Sequence, residues 1–128
     1  MSDVFAGGVE NIDGDLHANG SIEQSDHVDL TGDDQVEAVD QDGVSGYGIA
    51  MYAASSGDAV AVATVGAKVV VNATGVSAGD FVTGHGATGS AGQVTTANGT
   101  GDEILGKALT GTSNGTCEIL VTLGGEVN

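Results

Sequence analysis

Between Gly57 and Gly75 the chain reads GDAVAVATVGAKVVVNATG, two runs of β-branched and small residues parted by a single glycine. Valine is stiff at χ1 and packs well on a pleated surface, while each glycine costs a helix about 1 kcal/mol. The same cadence continues through YGIAMYAA (47–54), DAVAVATV (58–65), AKVVVNA (67–73), DFVTG (80–84), GQVTTA (92–97), EILGKAL (103–109) and TCEILVTL (116–123). Short runs with glycine punctuation predict an all-β chain folded as a compact small β-sandwich or barrel. In AVAVATV the alternation sets valine against alanine, so one face carries Val60 and Val62 and the other is smooth enough for a close neighbour. Asn98-Gly99 and Asn114-Gly115 fit the tight hairpin turn whose two central residues need positive φ. At most one helical turn is expected, around residues 76–80.

A chain of 128 residues is one domain rather than two independent cores. Its apolar content is 40%, yet it holds only two Phe, two Tyr and no Trp, so the core is thin. Part of the stability is therefore expected from neighbouring subunits, as a homo-oligomer.

Charge narrows the partners. Eighteen Asp and Glu face two basic residues, Lys68 and Lys107, for a net charge of −16. No basic cluster exists to neutralise phosphate, which argues against nucleic acid, and an anionic membrane surface would repel the chain. Two carboxylates about 10 Å apart in water repel by about 0.4 kcal/mol, a cost that molar salt removes by cutting the Debye length to about 3 Å. Abundant Asp with scarce Lys is the composition a salt-rich cytoplasm favours, and a halophilic source is expected.

The acids are unevenly placed. Residues 1–43 hold twelve of the eighteen and no Lys or Arg, with sparse apolar anchors that follow neither a helical nor a strand period. This divides the chain into an acidic N-terminal arm or edge segment (1–43) and a β-rich domain (44–128). An extended arm that orders on a partner is one reading of the first segment; short edge strands in the main fold are the other. The N-terminus has no basic region followed by an apolar core, so no secretory leader is expected, and no run approaches the ~18 apolar residues of a spanning helix.

Strings that look like chemistry fail on detail. GHGATG (84–89) has the dinucleotide glycine spacing but is followed by SAGQVTT, a turn and strand rather than a helix. GDEILGKA (101–108) is spaced like a phosphate loop, but Ala108 stands where a hydroxyl must hold magnesium. NIDGD (11–15) and DQDG (40–43) lack the Glu that closes a calcium loop. His17, His27 and His85 have no metal-spaced partner, and Cys117 is alone in a strand-like run, more suited to burial than to nucleophilic attack. No Ser–His–Asp grouping appears. The residues thus point to no catalytic, cofactor or metal site and to a protein that is not an enzyme. Four glycosylation sequons begin at Asn19, Asn72, Asn98 and Asn114, three of them on Asn-Gly turns.

Across residues 36–123 the series GYGIAMYAASSGDAVAVATVGAKVVVNATGVSAGDFVT, GATGSAGQVTT and ILGKALTGTSNGTCEILVTLGG resembles the head decoration (capsid cement) proteins of tailed viruses. The resemblance implies a structural virion protein, commonly a trimer, that sits on the outer surface of an assembled icosahedral capsid and bridges major capsid subunits. It also implies assembly in the host cytoplasm and a capsid contact from the N-terminal segment, here Asp3, Val4, Phe5 and Val9. With the acidic composition, it implies a virus of a halophilic archaeon. A surface-layer or fibre-type display subunit of a halophile is the alternative.

Thermal melting followed by circular dichroism is expected to show a strand-rich spectrum and a Tm that rises steeply with KCl toward molar concentration. A helical spectrum, or a Tm indifferent to salt, would contradict this reading of the composition.

Overall fold

The computed structural model describes residues 12–86, 89 and 91–128. Among them the chain is all-β: β1 (Ile12–Ala18), β2 (His27–Gly32), β3 (Gln35–Ala38), β4 (Gly48–Ala50), β5 (Ala59–Ala63), β6 (Lys68–Asn72), β7 (Phe81–Gly84), β8 (Val94–Thr96), β9 (Gly106–Ala108) and β10 (Thr116–Val121). Each of the seven runs expected from the sequence contains one of the strands β4–β10. The alternation decides which side faces inward: in β10, Cys117, Ile119 and Val121 are buried while Thr116, Glu118 and Leu120 are partly open. The turn within residues 76–80 forms around Gly79 without becoming helical.

The first five strands close a barrel in the order β1-β3-β2-β4-β5, with β5 pairing back onto β1. The other five form a sheet ordered β6-β10-β9-β7-β8. Its two edges meet at a parallel bridge between Ala73 and Val94, so this sheet also curls toward closure. Read around the ring from its first strand, the second unit repeats the first. Strands one and three are parallel in both, with Ala18 against Val36 and Ala73 against Val94. His27–Ile49, Val28–Gly48, Ile49–Ala63 and Ala50–Val62 correspond to Phe81–Lys107, Val82–Gly106, Lys107–Leu120 and Ala108–Ile119. Loop hydrogen bonds recur as well: Tyr47 N donates to Val28 O as Leu105 N does to Val82 O, and Ala50 N donates to Asp26 O as Ala108 N does to Asp80 O. The chain is two copies of one five-stranded topology in tandem.

Residues 12–38, expected to belong to an arm or edge segment, supply β1–β3 of the barrel. These strands lie inside a closed barrel, and the two sheets part between β5 and β6. The physical reason is that a barrel this narrow needs few inward residues. Leu16, Ile22, Val28 and Val36 are fully buried, and the carboxylates between them face solvent or the turns. Asp3, Val4, Phe5 and Val9 lie outside the described residues.

The Asn114-Gly115 turn forms as expected, with φ of 54° and 79° and Ser113 bonded to Thr116 in both directions. Asn98-Gly99 does not make a hairpin, because β8 and β9 are not neighbours in the sheet. There the positive φ falls on Gly101, and the carboxylate of Asp102 accepts the amide of Gly99 at 2.9 Å.

The two units share a seam. Asn72 donates its backbone amide to Ser25 O (3.0 Å) and its side-chain amide to Gln24 O (3.2 Å) and Asp26 Oδ1 (3.1 Å). The amide of His27 donates to Gly92 O, and that of Gly84 to Val44 O. Ile49, Met51, Ala61 and Ala63, outward-facing on the first barrel, join the apolar cluster of the second unit.

Close backbone approach explains one pair of glycines. A Cβ on Gly48 would strike the carbonyl oxygen of Ala63, and one on Gly106 that of Leu120. Gly48→Ala is expected to cost about 3 kcal/mol, since neither strand can yield without breaking the barrel. Gly57→Ala, open in space but at φ 90°, is expected to cost about 1–2 kcal/mol. Urea unfolding of the two variants checks the order.

Candidate functional site

Much of the acidic chemistry is spent on turns. Residues 23–26, 55–58, 77–80 and 99–102 each form a four-residue turn ending in Asp. The Asp amide donates back to the first residue's carbonyl, and the Asp carboxylate accepts the first residue's amide at 2.8 Å (Glu23), 3.2 Å (Ser55), 2.9 Å (Ser77) and 2.9 Å (Gly99). The third residue has positive φ in every case: Ser25 70°, Gly57 90°, Gly79 91° and Gly101 87°. That φ fits a type II turn, and the carboxylate satisfies a donor that would otherwise face solvent or the core. Three of the turns open directly into β2, β5 and β7. The signal was present in the sequence as SSGDAV, SAGDFV and GTGDEI, a Gly-Asp ahead of an apolar run.

These assignments dispose of the candidate motifs. Within GDEILGKA, Asp102 is a turn brace, Leu105 is core and Lys107 lies in β9. Gly84 of GHGATG ends β7, and the described chain beyond it continues to β8. In DQDG the Asp42 carboxylate accepts the amide of Gly86 at 2.7 Å. No group of three or more His, Cys, Asp or Glu among the described residues has the geometry to hold a metal ion. Cys117 is buried in β10, and burial pushes its thiol up to about 11, far from a reactive thiolate. A depression of about 150 Å³ is lined by Asp29, Thr31, Glu37 and Asp40 and is acidic in character.

Of the sequon residues, Asn19, Asn98 and Asn114 are exposed. The side-chain nitrogen of Asn72 is engaged at the seam with Gln24 and Asp26, so a glycan there would displace both bonds.

One surface stands apart. In register across β6, β10, β9 and β7 lie Lys68, Leu120, Lys107 and Phe81. Residues directly opposite one another across strands share a face. The only two basic residues of the chain are thus in one row with two apolar residues. Lys107 Nζ stands 5.5 Å from the centroid of the Phe81 ring, within cation–π range. Phe81 and Leu109 beside it are 47% and 40% exposed. On a chain of net charge −16 this row gathers both lysines beside exposed apolar side chains. Sequence reading missed it because register across four strands brings together residues as far apart as 68 and 120.

Two buried titratable groups, His27 and Asp26, lie at the seam. His27 is fully buried, and its Nε2 lies 2.8 Å from the carbonyl oxygen of Ser45. A carbonyl only accepts, so the ring carries its proton on Nε2, leaving Nδ1 without a partner. Burial lowers its pKa from 6.5 to about 4, against the smaller opposing effects of the Ser45 bond and Asp29. Asp26 is shifted upward by burial, partly offset by hydrogen bonds from Glu23 and Asn72.

No protein-family model matches this chain, and no curated protein matches it in sequence. Among solved structures, the head fiber gp8.5 N base of bacteriophage phi29 is similar, with a TM-score of 0.65 over 91% of this chain and 95% of that one at 16% sequence identity. The likeness is one of fold, and it extends over both units.

Because the folded state holds His27 neutral, its contribution to stability is complete above pH 6.5 and is lost as pH falls toward about 4, by about 3 kcal/mol in all. Asp26 acts in the opposite sense, stabilising as pH falls through its raised pKa toward 3.8. His27→Asn, which cannot take up the proton, is expected to lower overall stability yet flatten the dependence between pH 6.5 and 4. Urea titrations across that range measure the slope.

Proposed function

We propose that this chain is a non-catalytic structural protein of a tailed-virus head, attached to the outer surface of the assembled capsid and bracing its major capsid subunits. The observation that carries the reading is the fold: both units superpose on a protein described as the base of a phage head fiber, over nearly the whole length of each. The surface agrees with it. Carboxylates serve as turn braces, the cysteine thiol is buried, and the feature that invites a partner is an apolar row rather than a cleft.

On this reading the work is mechanical. Many copies add contacts across capsid seams, and each stabilises the shell because it binds the assembled form alone. The protein acts as an oligomer, a trimer in keeping with a three-fold position, assembled in the host cytoplasm. Its acidic exterior keeps particles dispersed in brine, in keeping with a halophilic archaeal host. Asp3, Val4, Phe5 and Val9 supply the capsid contact.

The test is co-sedimentation of the purified chain with shells of the major capsid protein from the same genome, followed by electron cryomicroscopy. Bound chain with density outside the shell that fits both units is expected. Deletion of residues 2–11 is expected to lower occupancy at least ~tenfold, the loss of one or two well-packed contact residues, with little change in Tm. A chain left in the supernatant, or shells without added density, overturns the proposal; unchanged occupancy of the deletion variant overturns the N-terminal contact.

A further inference from the structure

The tandem architecture covers one face of the first unit and leaves the same face of the second open. On the first barrel, His27, Ile49 and Met51 point outward from the β2–β4 side and are buried by the second unit, at 0%, 0% and 3% exposure. The matching register positions on the second unit are Phe81, Lys107 and Leu109, which face solvent. On that face Phe81 and Leu109 are large and apolar, and a lysine, Lys107, stands where the first barrel has Ile49.

The receiving side shows the converse. The second unit accepts the first through Asn72, Gly84, Gly86 and Gly92, which lie against residues 24–27 and 39–44. Their counterparts on the first unit are His17, Leu30, Gly32 and Asp34, all exposed; Leu30 and Asp34 carry side chains where Gly84 and Gly92 admit none, so a partner meets side chains here rather than bare backbone. Each chain thus exposes the Phe81–Leu109 face of its second unit and the Leu30–Asp34 side of its first.

The charges of the two faces are complementary. Lys107 and Lys68, the chain's entire basic complement, lie in the docking row. The receiving side is bordered by Asp29, Asp33, Asp34 and Glu37, and the residue that protrudes from it is an apolar leucine suited to Phe81 and Leu109. An anionic face and a cationic face on every copy attract each other and repel their own kind, which favours a directional contact over a two-fold one.

We infer that copies of this chain associate head to tail, the apolar, cationic Phe81–Lys107–Leu109 face of one docking on the acidic Leu30–Asp34 side of the next. The association goes beyond the capsid reading and does not require it, so a chain that oligomerises but ignores capsids would sink that reading and leave this one standing.

The test is light scattering of the full chain across a dilution series in molar KCl, with circular dichroism to confirm that variants stay folded. The wild type is expected to be oligomeric. Phe81→Glu and Leu109→Glu, both at exposed positions, are each expected to weaken association at least ~tenfold while keeping the strand-rich spectrum. Direction is read by cross-linking: a Leu30→Cys chain mixed with a Leu109→Cys chain is expected to give a mixed disulfide under mild oxidation, and neither variant alone should cross-link. A wild type that stays monomeric at every concentration overturns the inference, including the case in which this face binds capsid instead. So does an oligomer indifferent to both glutamate variants, and so does efficient cross-linking of Leu109→Cys to itself, which would mean a two-fold contact.

Discussion

A sheet of five strands closed on itself encloses very little volume, and this limit governs the composition of the whole chain. Eight strands already leave an interior only wide enough for side chains to fill. With five, the barrel holds Leu16, Ala18, Ile22, Val28, Val36, Ala50, Val60 and Val62, and Tyr47 packs against them only partly buried. Small aliphatic side chains fill so narrow an interior, and the valine- and alanine-rich composition supplies them. The same limit makes glycine obligatory where strands cross closest, as at Gly48 and Gly106, each set against a carbonyl oxygen of the neighbouring strand.

So small an interior stabilises each unit only modestly, and the seam supplies what the barrels lack. Ile49 and Met51 are lost to the first barrel's own core and serve instead to bury surface between units. Asn72 and Asp26 satisfy each other there, which lets a carboxylate stay buried with hydrogen bonds on both sides. The carboxylates divide into two populations with different roles. Asp26, Asp58, Asp80 and Asp102 fix turns by neutralising backbone donors, while others, such as Asp33, Asp34 and Asp40, stand exposed and repel one another. Salt acts on the second population and scarcely touches the first, because hydrogen bonds at 2.8–3.2 Å lie inside any Debye length.

The strands of the second half were legible because Val-rich runs such as AKVVVNA alternate over five residues and are bounded by glycine. Those of the first half were not. In β2 only His27 and Val28 are fully buried, and the remainder of HVDLTG is open, so its pattern resembles that of an acidic loop. The tandem repeat escaped notice for a related reason. Its two copies agree in register and in turn geometry, yet share few identities: His27 stands opposite Phe81 in the comparison, Ile49 opposite Lys107, and four more residues separate β7 from β8 than β2 from β3 in the matched register. The lysine row was hidden as well, since pairing four strands is a property of topology that no local window reports. The motifs that suggested chemistry hold residues with folding roles, Asp102 bracing a turn and Leu105 lying in the core.

The placement of the two lysines has a practical corollary. Enzymes of trypsin-like specificity cut after Lys or Arg, and this chain offers them only Lys68 and Lys107. Both lie within strands, β6 and β9, whose backbones are engaged in ladders with β10. A peptide bond held in a sheet does not fit a protease cleft until the sheet opens. Digestion by such an enzyme therefore reports separation of β10 from its neighbours, and the surface loops, exposed though they are, offer it no foothold.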